Sequence, residues 1–492
     1  MPIFKRPFPW IVLLFLVLAA GRVFSNLPWC DEGWFFDPLY NWITKGHTGT
    51  TIEEATGFPW EGIERHMYWQ APMHLLVQGL WVWTFGLNIY VFRACSVFAG
   101  LIALFGWRYL LRYIGLPFPI LTLSLLLIAT DYAFVRTASD GRIDMIASAF
   151  GLCAVVSYLH FRERNYTLAV LASQTFAVCG GLTHPMGGLI YLGYIAFFFL
   201  LKQDWRRLRW IHLPTAALPY LIGAACWGAY IMQEPETFKK IFFGSSAAGR
   251  LTGILHPLLS LQREIYLRYL VPNGWNATST VVKMKVLIPF IYFAAIVAAV
   301  CIRPVRKLAH MRLLLVLWAI AFCGLYILDN QRNGTYLNHV FPLYAAVLAT
   351  VLYWMFDSGK GMLRPVSVLL LAGVLLLQVG GSAYLIYTNP FQRDFMAAVR
   401  FVQQNAKPGS DHIVGSPELG FGLGFDNVLD DLTMGYHNRK KPAVIILDPR
   451  FRGWIETFRT WDPKLYQFVT DRLNNEYRRV YSQGTHEVYL PI

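Results

Sequence analysis

Six nearly uncharged apolar runs constrain this chain more than anything else in it: Ile11 to Ala20, Leu121 to Ala129, Leu189 to Leu201, Leu287 to Val300, Leu313 to Leu328 and Val366 to Leu377. Each lies in a stretch approaching the ~20 residues that a bilayer-spanning helix needs. A soluble core requires nothing like so many. Inside a hydrocarbon layer every backbone N–H and C=O must find its partner within the segment, so such runs fold as helices. The whole chain agrees, being 55% hydrophobic and 15% charged, against roughly 45–50% and about 25% in soluble domains. Its net charge of +14 invites a nucleic-acid reading, but the Lys and Arg residues fall in short clusters between the runs. They act as topology signals and form no polyanion groove, so no nucleic-acid partner is expected. Six of the seven cysteines lie in or at the ends of apolar segments, leaving Cys30 in a long loop, and neither a disulfide framework nor a CxxC metal site is implied.

Orientation turns on Pro72 to Phe85, because counting it as a span reverses every later loop. Taken as interfacial, it puts sixteen basic residues on one side, from Lys5 and Arg6 through Arg303, Arg306, Lys307 and Arg312 to Lys360 and Arg364, and three, Arg136, Arg142 and Arg332, in the short loops opposite. That asymmetry is the kind that fixes orientation. A short stretch carrying His74, Gln78, Trp81 and Trp83 also suits a headgroup belt. The map has about eleven helices, near 9–24, 89–107, 117–135, 144–161, 166–182, 185–201, 211–231, 286–302, 311–328, 336–356 and 365–387. The N-terminus lies inside, its first helix retained in preference to a cleaved signal peptide. Loops 25–88 and 233–285 lie outside. After Asn389 the composition becomes soluble. Helices are predicted at Asp394 to Asn405 and Leu465 to Tyr481, and strands at His412 to Gly415, Ala443 to Leu447 and Glu487 to Leu490. The expected fold class is a polytopic α-helical membrane protein, residues 1–388, with a small C-terminal extracytoplasmic α/β domain, residues 389–492. The expected location is the inner or plasma membrane.

The residues able to carry chemistry collect on the outside face. Asp31 and Glu32 directly follow the first helix; a carboxylate there can take the proton of an attacking hydroxyl, or it is a solvated loop acid or helix cap. Glu64 and His66 are weak candidates for a divalent cation, lacking CxxC or HExxH spacing. Arg136, Asp140, Arg142 and Asp144 crowd one short turn, where an arginine can grip phosphate bidentately or simply close a salt bridge. His184-Pro185 opens a helix, a position that favours anions, though a lone histidine is more often structural. Arg332, Tyr336 and His339 form a further polar cluster. In it Arg332 either neutralises a leaving phosphate or anchors the membrane interface.

Together these pieces resemble the glycosyltransferase-C superfamily, specifically the family 39 branch of protein O-mannosyltransferases and lipid A aminoarabinose transferases. The resemblance rests on Asp31-Glu32, Gln70-Ala71-Pro72, Val91-Phe92-Arg93, Gly141-Arg142-Ile143-Asp144, Gly181 through His184-Pro185, and Tyr336 through His339 to Pro342, in that order over roughly residues 9–360. It implies a membrane glycosyltransferase that moves a sugar, with inversion, from a polyprenyl-phosphate donor to an extracytoplasmic lipid, glycan or protein acceptor. By the same resemblance Asp31 is the base, Glu32 its neighbour and Asp144 a second carboxylate, while Arg142, His184, Arg332, Gln70 and His339 serve the donor phosphate. Gln70 and His184 depart from the pattern, each standing where a lysine is common. No cofactor is required by this reading, beyond a possible divalent metal at Glu64 and His66. A transporter or flippase of lipid-linked sugars and an inactive scaffold are the rival readings. Transporters place polar residues near the midplane on broken helices, whereas Asp31, Asp144, His184 and Arg332 are expected at one surface.

Overall fold

The computed structural model describes residues 7–58, 60–247, 257–277, 279–358, 361–406 and 412–492; Lys5, Arg6 and Lys360 of the basic clusters lie outside them. From the N-terminus, α1 (Phe8–Ser25) leads into α2 (Cys30–Lys45) and α3 (Met73–Phe85), then α4 (Ile89–Tyr113), α5 (Phe118–Thr130), α6 (Tyr132–Ser139), α7 (Asp144–Phe161), α8 (Tyr166–Thr183), α9 (Pro185–Leu201) and α10 (His212–Ile231). Helices Leu287–Cys301, Ala309–Leu328, Phe341–Asp357 and Leu363–Thr388 complete the bundle. Among the described residues, seven helices are long and apolar enough to cross a membrane, or up to nine if each of two bent pairs is one span. Two further apolar helices, α9 and Phe341–Asp357, are shorter. The chain is a multi-pass membrane protein, and these segments follow the spans expected from the apolar runs.

Local chemistry explains where helices start and bend. The α5–α6 pair is bent by 53° at Asp131, whose Oδ1 accepts the backbone N–H groups of Ala133 and Phe134 at 3.0 Å while Oδ2 accepts from Tyr292 and Gln378. The carboxylate caps the new helix and is itself satisfied, so the break leaves no buried polar group stranded. Helix Phe341–Asp357 is buried from Phe341 through Leu352, which fits a segment apolar all round that runs through the bundle interior. The sequence puts that helix at 336–356; instead Gly334–His339 is a 3-10 turn, opened by the Asn333 side chain accepting the Thr335 N–H, with Pro342 at the start of the α-helix.

The C-terminal segment forms a five-stranded sheet in the order β2-β1-β3-β5-β4, from β1 (Ile413–Val414), β2 (Val428–Leu429), β3 (Val444–Leu447), β4 (Tyr477–Gln483) and β5 (His486–Pro491). β1 pairs in parallel with β2 and β3, and β5 pairs antiparallel with β3 and β4. Strand alternation divides its two faces. Val444 and Ile446 pack with Phe35, Phe36 and Leu39 of α2, while Ile445 and Leu447 pack beneath helices Pro449–Trp461 and Pro463–Asn475. One sheet face is therefore closed by the first loop. The fit is tight at Gly33, where a Cβ would stand 2.4 Å from the Pro417 carbonyl carbon. Two expectations fail here. The helix over Leu465 to Tyr481 stops at Asn475 because residues 477–483 pair edge to edge with β5. Helix Pro449–Trp461 was not expected, although Asp448 as N-cap and Pro449 at its first position are its start signals.

Candidate active site

At the sheet-bearing end of the bundle lies a cavity of about 400 Å³ whose walls come from α2, the 67–70 loop, the 142–143 turn, His184, the 331–336 segment and the C-terminal domain. Asp31, Gln70, Arg142 and His184 all line it. The rest of the wall is largely aromatic, with Trp29, Trp34, Phe35, Trp69, Tyr336 and Trp454.

Arg142 is the hub. It forms an ion pair with Asp31 at the cavity, and its Nε donates to Asp144 Oδ2 at 2.8 Å from behind. Asp31 keeps 21% of its side chain exposed, whereas Asp144 has 1%, so only the first carboxylate faces the space. Burial works against the Arg142 charge, but Asp144 and then Tyr336 hold its pKa above the ordinary value. The hub is braced by its own backbone, since Ser96 donates to the Arg142 carbonyl and Asn338 to that of Asp144.

His184 caps α9, its Nδ1 accepting the Met186 N–H at 3.3 Å, with Nε2 3.0 Å from the Tyr336 hydroxyl. A neutral ring that accepts at Nδ1 carries its proton on Nε2, so it donates to Tyr336. His339 lies one layer deeper, fully buried, with Nδ1 3.2 Å from the Tyr191 hydroxyl. Burial, and secondly Glu418, push the Cys30 thiol well up; it offers no thiolate nucleophile to the cavity.

Four expected site residues stand elsewhere. Glu32 is fully buried and clamped bidentately by Arg93 at 2.7 and 2.8 Å, and it also accepts the N–H groups of Gly141 and Trp29. Arg93 in turn donates to the carbonyls of Val23 and Asn26. Glu32 thus pins the end of α1, the start of α2, α4 and the 141 turn together. A Cβ on Gly141 would come 2.3 Å from the Phe92 ring, which is why the turn approaches Glu32 so closely. Arg332 sits at φ +59° and turns away from the cavity that Gln331 and Asn333 line. It donates to Glu264 at 2.9 Å in a buried knot where Arg268 bonds Glu264 and Asp329. Glu64 and His66 lie on a separate surface hollow. There His66 contacts Gln233 at 2.8 Å and Glu234 at 3.5 Å, and among the described residues no three His, Cys, Asp or Glu side chains converge as metal ligands.

Sequence reasoning missed the contribution of the C-terminal domain. Arg450, on helix Pro449–Trp461, reaches the cavity with its guanidinium 4.6 Å from the Trp34 ring centroid and is held bidentately by Asp430 at 2.8 and 2.9 Å. Trp34 donates to both Glu53 and Asp430. Burial and then Asp430 push the Glu53 carboxyl well above the usual range.

No family model matches the chain, and no curated protein matches it by sequence. Solved structures do resemble it. The crystal structure of ArnT from Cupriavidus metallidurans bound to undecaprenyl phosphate superposes with a TM-score of 0.61 at 16% identity, over 99% of each chain. The same protein in the apo state gives 0.50 at 15% identity, over 99% of this chain and 98% of that one. The chain thus shares the fold of ArnT over 99% of each chain.

Proposed function

We propose that this protein is a membrane glycosyltransferase that moves a sugar from a polyprenyl-phosphate donor to an acceptor at the extracytoplasmic face. The observation that carries the reading is the Asp31–Arg142–Asp144 array: one carboxylate open to an aromatic-walled cavity, beside a guanidinium locked from behind. The ArnT structure of the same fold is bound to undecaprenyl phosphate, which supports a carrier of that class. The acceptor hydroxyl gives its proton to Asp31 as its oxygen bonds the anomeric carbon. The bond from that carbon to the phosphate oxygen breaks on the opposite side, its electron pair leaving with polyprenyl phosphate and the centre inverting. Arg142 stabilises the charge that grows on the departing phosphate, a role suited to a fixed donor that needs no reorganisation. Gln70, and Tyr336, whose hydroxyl oxygen accepts from His184, supply neutral hydrogen bonds to the same group. The Trp side chains offer faces for the sugar. Glu32 is assigned to holding the loop in place and Asp144 to supporting Arg142 from below, while His339, beside Tyr191, stands outside the phosphate site.

Lipid analysis of cells lacking the protein tests this directly. A polyprenyl-phosphate sugar should accumulate, and restoring the wild-type gene should clear it while the Asp31→Asn form does not. An unchanged pool of lipid-linked sugars in the deletion would refute the reading. Clearance by Asp31→Asn as complete as by wild type would instead favour transport.

A further inference from the structure

A second cavity of about 540 Å³ lies beside the first, on the other side of Trp29 and Cys30, between the outer ends of α1, α6 and helix Leu363–Thr388. Its chemistry is unlike the first. Arg22, in the last turn of α1, is 2% exposed; its Nε bonds Asn26, while Nη1 is buried with no hydrogen-bond partner. Its guanidinium lies 4.7 Å from the centroid of the Tyr132 ring, and Lys285 Nζ lies 4.1 Å from the same ring. Arg136, one turn along α6, stands over Trp29 at 5.2 Å. Arg22, Tyr132 and Arg136 line the cavity, with Lys285 set against the Tyr132 ring, and opposite these cations stands Asp140, 3.4 Å from Arg136. Glu418 also borders it, but burial and then Asp448 push its carboxyl well above the usual range, so it offsets little. Arg450 at the rim is already held by Asp430. Desolvated cations in excess at a membrane surface are costly unless an anion joins them. The remaining wall, Leu27, Leu385 and Pro390, is apolar.

We propose that this cavity binds the phosphate of a membrane lipid, with Arg22 and Arg136 gripping the phosphoryl oxygens, Lys285 adding charge from beside the Tyr132 ring, and the acyl chains lying along the apolar wall. Arginine's planar fork matches phosphate geometry, and the unpartnered Arg22 Nη1 is the donor that an ordinary structural salt bridge would have used. The site does not depend on glycosyl transfer, since it lies across Trp29 and Cys30 from Arg142 and binding is read without turnover.

The full-length protein, purified in neutral detergent, is titrated with dioleoyl phosphatidic acid, dioleoyl phosphatidylcholine and inorganic phosphate, reading tryptophan fluorescence. Phosphatidic acid should bind saturably and more tightly than the other two. Arg22→Gln and Arg136→Gln should each weaken it roughly tenfold to a hundredfold. Arg22→Lys should lose less, and Arg142→Gln should bind within about twofold of wild type, which keeps this test apart from that of the Asp31 cavity. Equal binding of phosphatidylcholine, or unchanged affinity in Arg22→Gln and Arg136→Gln, would overturn the proposal. Inorganic phosphate binding as tightly as phosphatidic acid would overturn the lipid and leave a free-anion site. If Arg22→Gln does not fold, Arg136→Gln decides, because Arg136 lines the cavity and is only half-buried.

Discussion

The Asp31 cavity and the Glu264 knot are both made of arginines and carboxylates, and residues 331–333 touch both, yet they are built to opposite ends. In the knot, Glu264, Arg268 and Asp329 have no exposed side-chain surface, and every carboxylate is matched by a guanidinium. At the cavity, Arg142 is flanked by one sealed carboxylate and one that keeps 21% of its surface open. Buried ion pairs of the first kind contribute little net stability but are expensive to break. A pair with one open face can exchange its partner for a ligand. Charge alone does not distinguish them, and neither does burial of the arginine; what differs is whether empty space adjoins the pair.

The sharpest way to break the comparison is to treat the knot as a ligand site. Arg268→Ala leaves Glu264 and Asp329 sealed without their cation. It should cost about 3–5 kcal/mol, seen as loss of monodisperse protein and a lowered Tm in detergent. A variant that folds normally but fails to use donor would place the knot with the cavity. Next, Arg142→Ala should weaken donor use roughly 10- to 150-fold per folded molecule, with Arg142→Lys rescuing only part, because lysine keeps the charge and loses the fork. Unchanged donor kinetics would return Arg142 to the structural class.

Arg332→Ala sharpens the contrast from the other side. Arg268 still compensates Glu264 there, so the cost should be about 1.5 kcal/mol, in folded yield and not in donor kinetics. A pH-dependent test concerns Asp37. Burial raises its pKa to about 6 against the hydrogen bonds from Thr50, Thr51 and Ile52 that favour the anion. Its folded-state pKa exceeds the unfolded one, so the folded form binds more protons between them. Stability should therefore fall as pH rises from about 4 to 6 and level off above. Asp37→Asn should flatten that part of the Tm-against-pH curve, and an identical curve would remove Asp37 as its source.

Much of this was legible in the residues. Apolar runs in a bilayer have one solution, a helix with its backbone bonds satisfied internally, so the spans and their order followed directly. Asp31, Gln70, Arg142 and His184 were legible as a group because all four fall in segments that the charge asymmetry assigns to one end of the bundle. Glu32 and Arg332 were not separable from them, since adjacent residues in a helix or turn point in different directions and sequence spacing does not say which one faces a void. Arg450 and Trp454 were invisible for another reason. Their approach to Trp34 depends on α2 packing against the far sheet, as at Gly33 and Pro417, a contact between segments nearly four hundred residues apart in the chain.

The central claim is that Asp31 takes the proton of the acceptor. It is tested most directly by Asp31→Asn in purified, monodisperse protein, measuring release of polyprenyl phosphate from a polyprenyl-phosphate sugar in the presence of acceptor. The amide keeps the side-chain shape but cannot serve as base, and general base catalysis is typically worth 10²- to 10⁴-fold. Transfer per folded molecule should fall by at least a hundredfold with folding intact. Transfer within about threefold of wild type would contradict the assignment.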